Sequence, residues 1–242
     1  MNTDYEIKKI KHLNLVLHAF RDVGRLLVTE NDKQRLISGI CNILVEKRGY
    51  YNAWIGLLDE QQNLLMVAQS GFNHRFEKMH QQLEERNFTR CIQKTLDAAS
   101  VFSVADPVID CPDCILSKDY AGRGSMATRI CHEGKNYGFI VLSVPQELAM
   151  DGTEQNIVKE ISDDIASGLR RIDLEQARMR AKKEQEKSRI RFETLIENSL
   201  NCISIIQNDQ KIYGNTGLKR IHQLVIDTFD PPDFKTICEQ DR

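Results

Sequence analysis

Two cysteines stand three positions apart in the run Cys111-Pro112-Asp113-Cys114, and their spacing is the sharpest chemical feature of the chain. Thiols at this spacing can chelate zinc or an iron–sulfur cluster, form a redox pair, or pack as small apolar side chains. A metal site needs two further ligands, and the sequence has neither a second such pair nor paired histidines. We predict Cys111, Cys114 and Cys131 as candidate ligand-binding or redox residues and assign no metal.

Other residues that commonly carry chemistry are scattered along the chain. Cys91, Cys131 and His132 can join the Cys111 and Cys114 pair only where the fold brings them together. No Ser/His/Asp or Cys/His constellation follows from spacing, and no glycine-rich phosphate loop is present. We therefore predict no catalytic site in this stretch and name no cofactor, while leaving open whether the chain is part of an enzyme.

The composition narrows the class of protein. The chain has 242 residues, of which 41% are hydrophobic and 28% charged, with a net charge of -2. These values are typical of a globular protein with one large or two modest domains. The sequence contains no run of about 18 apolar residues, which a membrane segment would need, and its first residues are polar. We therefore expect a cytoplasmic location. Seven cysteines, an odd number, do not resemble a secreted disulfide framework.

Periodicity predicts the elements that position these residues. Apolar side chains at three- and four-residue steps predict a helix over 5–27 and a second one from Asn31 or Asp32 to Arg48. The period then changes to that of strands, and a helical, polar-rich stretch is predicted over 75–98. The predicted strands are 51–58, 64–70, 101–104, 125–131 and 137–144. This order indicates an α+β domain with one antiparallel sheet and helices packed against it.

Two phrases in this block have a distinctive arrangement of glycines and apolar residues. One is Ala53-Trp54-Ile55-Gly56-Leu57, followed by a turn and a strand that ends Ser70-Gly71-Phe72. The other runs from His132 to Leu142 and places Gly134 and Gly138 ahead of an apolar run, where the second glycine permits close packing. Both phrases resemble those of GAF domains, and the GAF-like region is 14–169, preceded by a helix start at 1–13.

The GAF resemblance carries expectations about function. It implies a sensor domain with a cavity for an unknown small-molecule ligand. The cavity is expected between the sheet and the segment from about Arg75 to Tyr120, where Cys111 and Cys114 would lie.

A helical run from about Thr153 to Ile196 is roughly twice as long as an ordinary helix. Its residues fit two heptad seams, one apolar and one mostly polar, which predicts a parallel two-stranded coiled coil of modest stability and hence a homodimer. The residues assigned to the dimer helix are Val158, Ile165, Leu169, Ile172 and Met179. The alternative, a single helix lying against its own domain, stays open. Its basic residues alternate with acidic ones, so we expect no nucleic-acid partner.

The pattern restarts after a helical linker at 170–191. The phrase from Phe192 to Ser199, a first hairpin and the late phrase at 239–242 resemble the opening of a PAS domain. We therefore predict that 192–242 is the N-terminal part of a PAS-like α/β unit and that an output domain follows it.

Together these resemblances imply a cytoplasmic signal-sensing module. It would relay small-molecule or redox state through a dimeric helix to a downstream kinase or other output domain, as in a two-component sensor histidine kinase. The alternative is a redox- or metal-binding protein that uses Cys111 and Cys114. A sulfoxide reductase of the GAF type is a third hypothesis, and the attached helix and second domain count against it.

Overall fold

The computed structural model describes residues 3–72, 74–98, 100–199, 201, 203–207 and 210–228. The chain divides into two compact units, Met1–Glu175 and Gln176–Arg242, so their boundary falls inside the predicted linker. The α+β class predicted from the sequence is confirmed in the first unit, where one antiparallel sheet is flanked by helices.

The first unit contains five strands and six complete helices among the residues described. The helices are α1 (Thr3–Thr29), α2 (Lys33–Glu46), α3 (Phe76–Glu84), α4 (Arg90–Asp97), α5 (Pro107–Asp110), α6 (Gln146–Ala149) and the first part of α7 (Gly152–Glu197). The strands are β1 (Asn52–Leu58), β2 (Leu64–Ser70), β3 (Phe102–Val104), β4 (Arg123–His132) and β5 (Lys135–Pro145). Every pair in the sheet order β2-β1-β5-β4-β3 is antiparallel.

Local chemistry explains where several elements begin and turn. The Asp32 carboxylate caps α2 by accepting a hydrogen bond of 2.8 Å from the Arg35 amide, which satisfies one free donor of the first turn. Gly138 on β5 has a φ of +143°, and a Cβ there would lie 1.9 Å from the carbonyl oxygen of Gly56 on β1. Only glycine lets these two strands approach so closely.

The sheet separates two apolar layers. One face packs against α1, α2, α6 and α7 and carries Ile55, Ile140 and Leu142. The other face packs against α3, α4 and the segment 105–121, and it carries Trp54 and Val141. Because side chains alternate along a strand, consecutive residues of β5 belong to different layers.

The segment between β2 and β4 is more structured than its sequence suggests. The helical stretch predicted over 75–98 is two helices, α3 and α4, with a break at 85–89. The predicted loop around Cys111 contains α5 and a 3-10 turn, Ser117–Tyr120. Helical turns of four residues are too short to show a 3.6-residue period, so sequence patterns miss them.

Four of the five residues assigned to the dimer helix lie in the core of their own chain. Val158, Ile165, Leu169 and Ile172 are 0–1% exposed and belong to the apolar layer under the sheet, while Met179 is 58% exposed. The first part of α7 therefore lies against its own domain, which is the alternative that the sequence left open. In this conformation the four side chains are not available to a second copy of the chain, because the core of their own domain already covers the apolar stripe. From Leu174 to Leu195 the helix is exposed.

The second unit contains the rest of α7 and, in the described part, a hairpin followed by a helix. The elements are β6 (Ser204–Gln207), β7 (Gln210–Gly214) and α8 (Thr216–Thr228), and the two strands are antiparallel. The buried side chain of Asn215 links the segments around this hairpin. Its Oδ1 accepts hydrogen bonds from the backbone amides of Ile203 and Leu218, and its Nδ2 donates to the backbone carbonyls of Ile196 and Asn201. The predicted phrase at 239–242 lies outside the described residues.

No helix in the described part of the chain is both long enough and apolar enough to cross a membrane.

Candidate functional site

The candidate site lies on the sheet face that the segment 105–121 covers. Its floor is aromatic, because the Trp54 and Phe139 rings meet edge to face with centroids 5.3 Å apart. The Tyr120 hydroxyl accepts a hydrogen bond of 3.4 Å from the Trp54 indole, and both side chains are buried. Burial raises the pKa of the Tyr120 hydroxyl far above its ordinary value, so this group stays protonated.

A small cavity of about 30 Å³ lies beneath this segment. That space holds little more than one water molecule. Its lining mixes aromatic, aliphatic, hydroxyl and thiol groups: Trp54, Thr89, Cys91, Val104, Pro107, Cys111, Cys114, Leu116, Ser117, Tyr120, Ser125 and Val141.

Three cysteines meet at this cavity. Cys111 and Cys114 follow α5 in a tight turn, in which the Cys114 amide donates to the Cys111 carbonyl at 3.1 Å. Cys91 comes from α4, and its sulfur lies 3.1 Å from the Thr89 hydroxyl oxygen. The same three residues also border a groove of about 520 Å³ on the outer side of the turn. The predicted candidate Cys131 does not line either space.

The environment keeps the three thiols protonated. Burial raises the pKa of Cys114 to about 11, with smaller effects from the neighbouring Cys91 and Cys111. The pKa values of Cys91 and Cys111 are also raised, mainly by burial. Because the thiolate is the nucleophile, these thiols react slowly near neutral pH.

Cys131 and His132 lie elsewhere, at the end of β4 in the β4–β5 hairpin. The His132 ring nitrogen Nδ1 is 3.5 Å from the Ser167 hydroxyl of α7. Among the residues that the structure describes, no three His, Cys, Asp or Glu side chains are arranged to hold a metal ion.

A row of buried polar side chains runs across the sheet on the same face as Trp54 and Val141. Ser143 on β5 pairs with Asn52 on one side and with Ser125 on the other. Asn52 and Ser143 are 1% and 0% exposed, and neither Asn52 Oδ1 nor Ser143 Oγ has a hydrogen-bond partner among the described residues. Sequence reasoning missed this row, although polar residues at the ends of otherwise apolar strands are a detectable signal.

The two ends of the row open into different spaces. Ser125 borders the small cavity, whereas Asn52 borders a polar groove of about 380 Å³. The residues around this groove are Asn52, Gly71, Phe72, Lys118, Asp119, Ala121 and Arg123. We refer to these seven residues as the polar groove. Its volume lies in the range of small-ligand pockets in proteins.

Comparison with solved structures identifies the fold of the first unit. The GAF domain of a phosphoenolpyruvate-protein phosphotransferase from Coxiella burnetii matches with a TM-score of 0.52 and 14% identity, covering 69% of this chain and 98% of that one. The nlh2 GAF domain of A. aeolicus, crystallised in an inactive state, gives 0.52 and 12%, with 67% and 97% covered. The GAF domain of an Acinetobacter phosphoenolpyruvate-protein phosphotransferase gives 0.51 and 12%, with 68% and 96% covered.

The first unit therefore has the fold of a GAF domain, as its sequence phrases predicted. No family model and no curated protein matches the chain in sequence. The likeness to these domains is one of fold.

Proposed function

We propose that the first unit is a signal-sensing module that binds a small molecule in the polar groove beside the segment 105–121 and passes its state to α7. The observation that carries this proposal is the position of β5 between the candidate site and the helix. Ser143 on β5 pairs with Asn52 of the groove, and its neighbours Leu142 and Val144 belong to the core that also contains Ile165 of α7. The strand β5 therefore contributes side chains to both apolar layers.

The first part of α7 is held by polar contacts at the point where it leaves the core. The Arg171 guanidinium donates to the Leu27 carbonyl at 3.2 Å, to Asn31 Oδ1 at 2.7 Å and to the Glu30 carbonyl. These acceptors lie at the C-terminal end of α1 and just beyond it, where free carbonyls favour a cation. A displacement of the sheet layer would therefore act on a helix that is fixed at a defined place.

The ligand-binding half of this proposal is tested by thermal unfolding with a panel of amino acids, organic acids, sugars and nucleotides. We expect a member of the panel to raise the unfolding temperature. For that compound, hydrogen exchange should slow both in 105–121 and in the part of α7 from 152 to 173. Protection confined to 105–121 would contradict the relay.

The Arg171→Gln variant separates binding from relay. It removes the charge at the end of α1 and leaves the lining of the polar groove unchanged, so the ligand should still bind while the protection of α7 weakens. Lys159→Gln is the matched control, because Lys159 pairs with Asp163 on the exposed surface of the same helix.

We further propose that α7 leads to a PAS-like unit and that the two units belong to a histidine kinase or a related regulator. Support comes from the residues of 192–215 and from the exposed stretch of α7 that precedes them. A homodimer would then use this exposed stretch, which includes Met179 and Ile190, rather than the buried part of the helix. Light scattering of the wild type and of a Met179→Lys, Ile190→Lys variant tests it. A monomeric wild type would contradict the dimer, and a variant that keeps the dimer mass would contradict the use of this stretch.

The second candidate function is a thiol redox site, and the gathering of Cys91 with Cys111 and Cys114 favours it. Oxidation of two thiols by hydrogen peroxide would form one disulfide, with both protons and both electrons passing to the peroxide to give two waters. The raised thiol pKa values argue that this reaction is slow. Mass mapping after peroxide treatment tests it, with Cys111→Ser as the variant; three free thiols after treatment would exclude this candidate.

A further inference from the structure

The polar groove contains two buried acceptor oxygens that have no hydrogen-bond partner among the described residues. One is Asn52 Oδ1 and the other is Asp119 Oδ2. The second oxygen of Asp119 accepts a hydrogen bond of 3.2 Å from Arg75, so the carboxylate is held in place with one oxygen left over. A buried acceptor without a hydrogen bond destabilises a structure by more than a typical hydrogen bond stabilises it. We therefore expect a hydrogen-bond donor at each of these two oxygens.

The orientation of Asn52 follows from the register of the sheet. It lies two residues before Trp54 on β1 and therefore points to the same face, toward the segment 105–121. Gly71 packs so closely against this part of β1 that a Cβ at that position would lie 2.4 Å from the Tyr51 carbonyl oxygen and 3.0 Å from Asn52 Cβ. The acceptor is thus buried but lies beside the groove.

Two cationic side chains also border the groove, and one of them, Arg123, donates a hydrogen bond of 3.4 Å to the Asp119 backbone carbonyl. Arg123 lies with its guanidinium carbon 4.1 Å from the centroid of the Tyr51 ring, and this stacking fixes its position. Lys118 adds a second cation on the exposed side. The groove therefore offers acceptors, including a carboxylate, close to two cationic donors.

We propose that the polar groove binds a small zwitterion, a molecule with an ammonium group next to a carboxylate, as in an α-amino acid. The ammonium group donates to Asn52 Oδ1 and Asp119 Oδ2, and the carboxylate accepts from Arg123 and Lys118. An α-hydroxy acid would satisfy Asn52 equally well, but it offers no positive charge to Asp119. This inference rests on the proposed sensing function and names the chemical class of its ligand.

Titration calorimetry with the twenty α-amino acids tests the class. For each one that binds, the matched acid without the amino group and the matched amine without the carboxylate are titrated as well. We expect both to bind at least tenfold more weakly, because each loses the charge-assisted hydrogen bonds of one end. Binding of the acid as tight as that of the amino acid would overturn the assignment of the ammonium group.

Two variants place the ligand in the groove. Asn52→Leu keeps the size of the side chain and removes the acceptor, and Arg123→Gln removes the guanidinium charge. We expect each to weaken binding by roughly 10- to 100-fold. Asn52→Leu should leave the unfolding temperature unchanged or raise it, since it removes an unpaired buried polar atom.

Thr128→Val is the matched control for Asn52→Leu. Thr128 is also buried with an unpartnered hydroxyl, but its neighbours in the alternation, Met126 and Ile130, place it on the opposite face of the sheet. The Thr128→Val variant should bind the amino acid as tightly as the wild type does. Wild-type affinity in Asn52→Leu would overturn the proposed site.

Thermal unfolding with the panel of amino acids, organic acids, sugars and nucleotides distinguishes a failure of this inference from a failure of the proposed function. If no amino acid binds but a sugar, nucleotide or organic acid raises the unfolding temperature, the zwitterion proposal fails and the sensing function stands. If no compound of any of these classes binds, both fail.

Discussion

Arg48 and Glu154 form an ion pair in which both side chains are almost completely buried, with 3% and 2% of their surfaces exposed. Arg48 follows α2 and Glu154 lies in the first turn of α7, so the pair joins two helices that pack on the same sheet face. The Tyr50 hydroxyl also donates to this carboxylate. These contacts of Arg48 and Tyr50 with Glu154 anchor the first turn of α7 to the residues that follow α2.

The Glu154→Gln variant should lower the free energy of unfolding by about 3 kcal/mol, because it removes the buried negative charge that pairs with Arg48. Urea denaturation measures the change. Glu160→Gln, on an exposed position of the same helix, should stay within about 0.5 kcal/mol of the wild type. Equal effects of the two substitutions would contradict a structural role for the buried pair.

Asp173 gives a pH-dependent contribution to stability. Its carboxylate pairs with Lys33 at 2.5 Å and with Lys135 at 2.9 Å. Burial by itself would raise the pKa of Asp173, but hydrogen bonds from the two ammonium groups outweigh it, and the pKa is lowered from the ordinary value of 3.8. A folded-state pKa below the unfolded value means that the stabilisation is complete above the unfolded value and is lost as the pH falls through the folded one.

We therefore expect Asp173→Asn to reduce the free energy of unfolding at about pH 7, and the difference from the wild type to shrink toward about pH 3. Denaturant unfolding at the two pH values measures it. Asp163→Asn serves as the control, since Asp163 pairs with Lys159 on the helix surface. A difference that does not change with pH would show that the ion pairs do not cause the effect.

Two glycines of the β4–β5 hairpin should respond very differently to substitution. A Cβ at Gly138 would lie 1.9 Å from the Gly56 carbonyl oxygen, whereas nothing lies within 4 Å of a Cβ at Gly134. Gly138→Ala should therefore cost more than about 4 kcal/mol and prevent folding at moderate temperature. Gly134→Ala, at a φ of +82°, should cost about 1 kcal/mol of backbone strain. Thermal unfolding of both variants compares them.

The thiols should differ in their reactivity toward N-ethylmaleimide. Cys41 is fully buried and its pKa is raised to about 12 by burial, so it should be alkylated only after unfolding. Cys114, with a pKa of about 11, should react roughly tenfold faster for each unit of pH between about 8 and 10. Peptide mass mapping at timed intervals follows each site. Rapid alkylation of Cys114 at neutral pH would contradict its protonated state and strengthen the redox candidate.

In the second unit, Asn215→Ala should speed hydrogen exchange at the amides of Ile203 and Leu218. Both amides donate to the Asn215 side chain, at 3.0 and 3.1 Å. Asn201→Ala is the control, because only the Asn201 carbonyl accepts from Asn215 and the substitution keeps it. Exchange rates that match in the two variants would contradict the role of the buried amide.

The seam assigned to α7 shows where sequence reasoning stops. Its heptad spacing correctly indicated an apolar stripe, but the stripe at Val158, Ile165 and Ile172 packs against the sheet of its own chain. Spacing along a helix states which face is apolar and leaves open what covers that face. The covering partner depends on contacts between residues about a hundred positions apart, such as Arg48 and Glu154.

The cysteines show the same limit. The spacing of Cys111 and Cys114 marked them as a pair, yet it could not choose between Cys91 and Cys131 as the third thiol. The fold of α4 over the sheet brings in Cys91, while the hairpin carries Cys131 away.

The sequence by itself determined the order of the strands and of the long helices in the first unit, the antiparallel α+β class and the glycines on which the last hairpin depends. These are local properties, since the period of apolar residues and the backbone freedom of glycine act within a few positions. Only the tertiary structure decided that three thiols meet, that α7 starts inside the core, and that Asn52 and Ser143 line up beneath the segment 105–121. Such meetings depend on strand register and packing between distant parts of the chain.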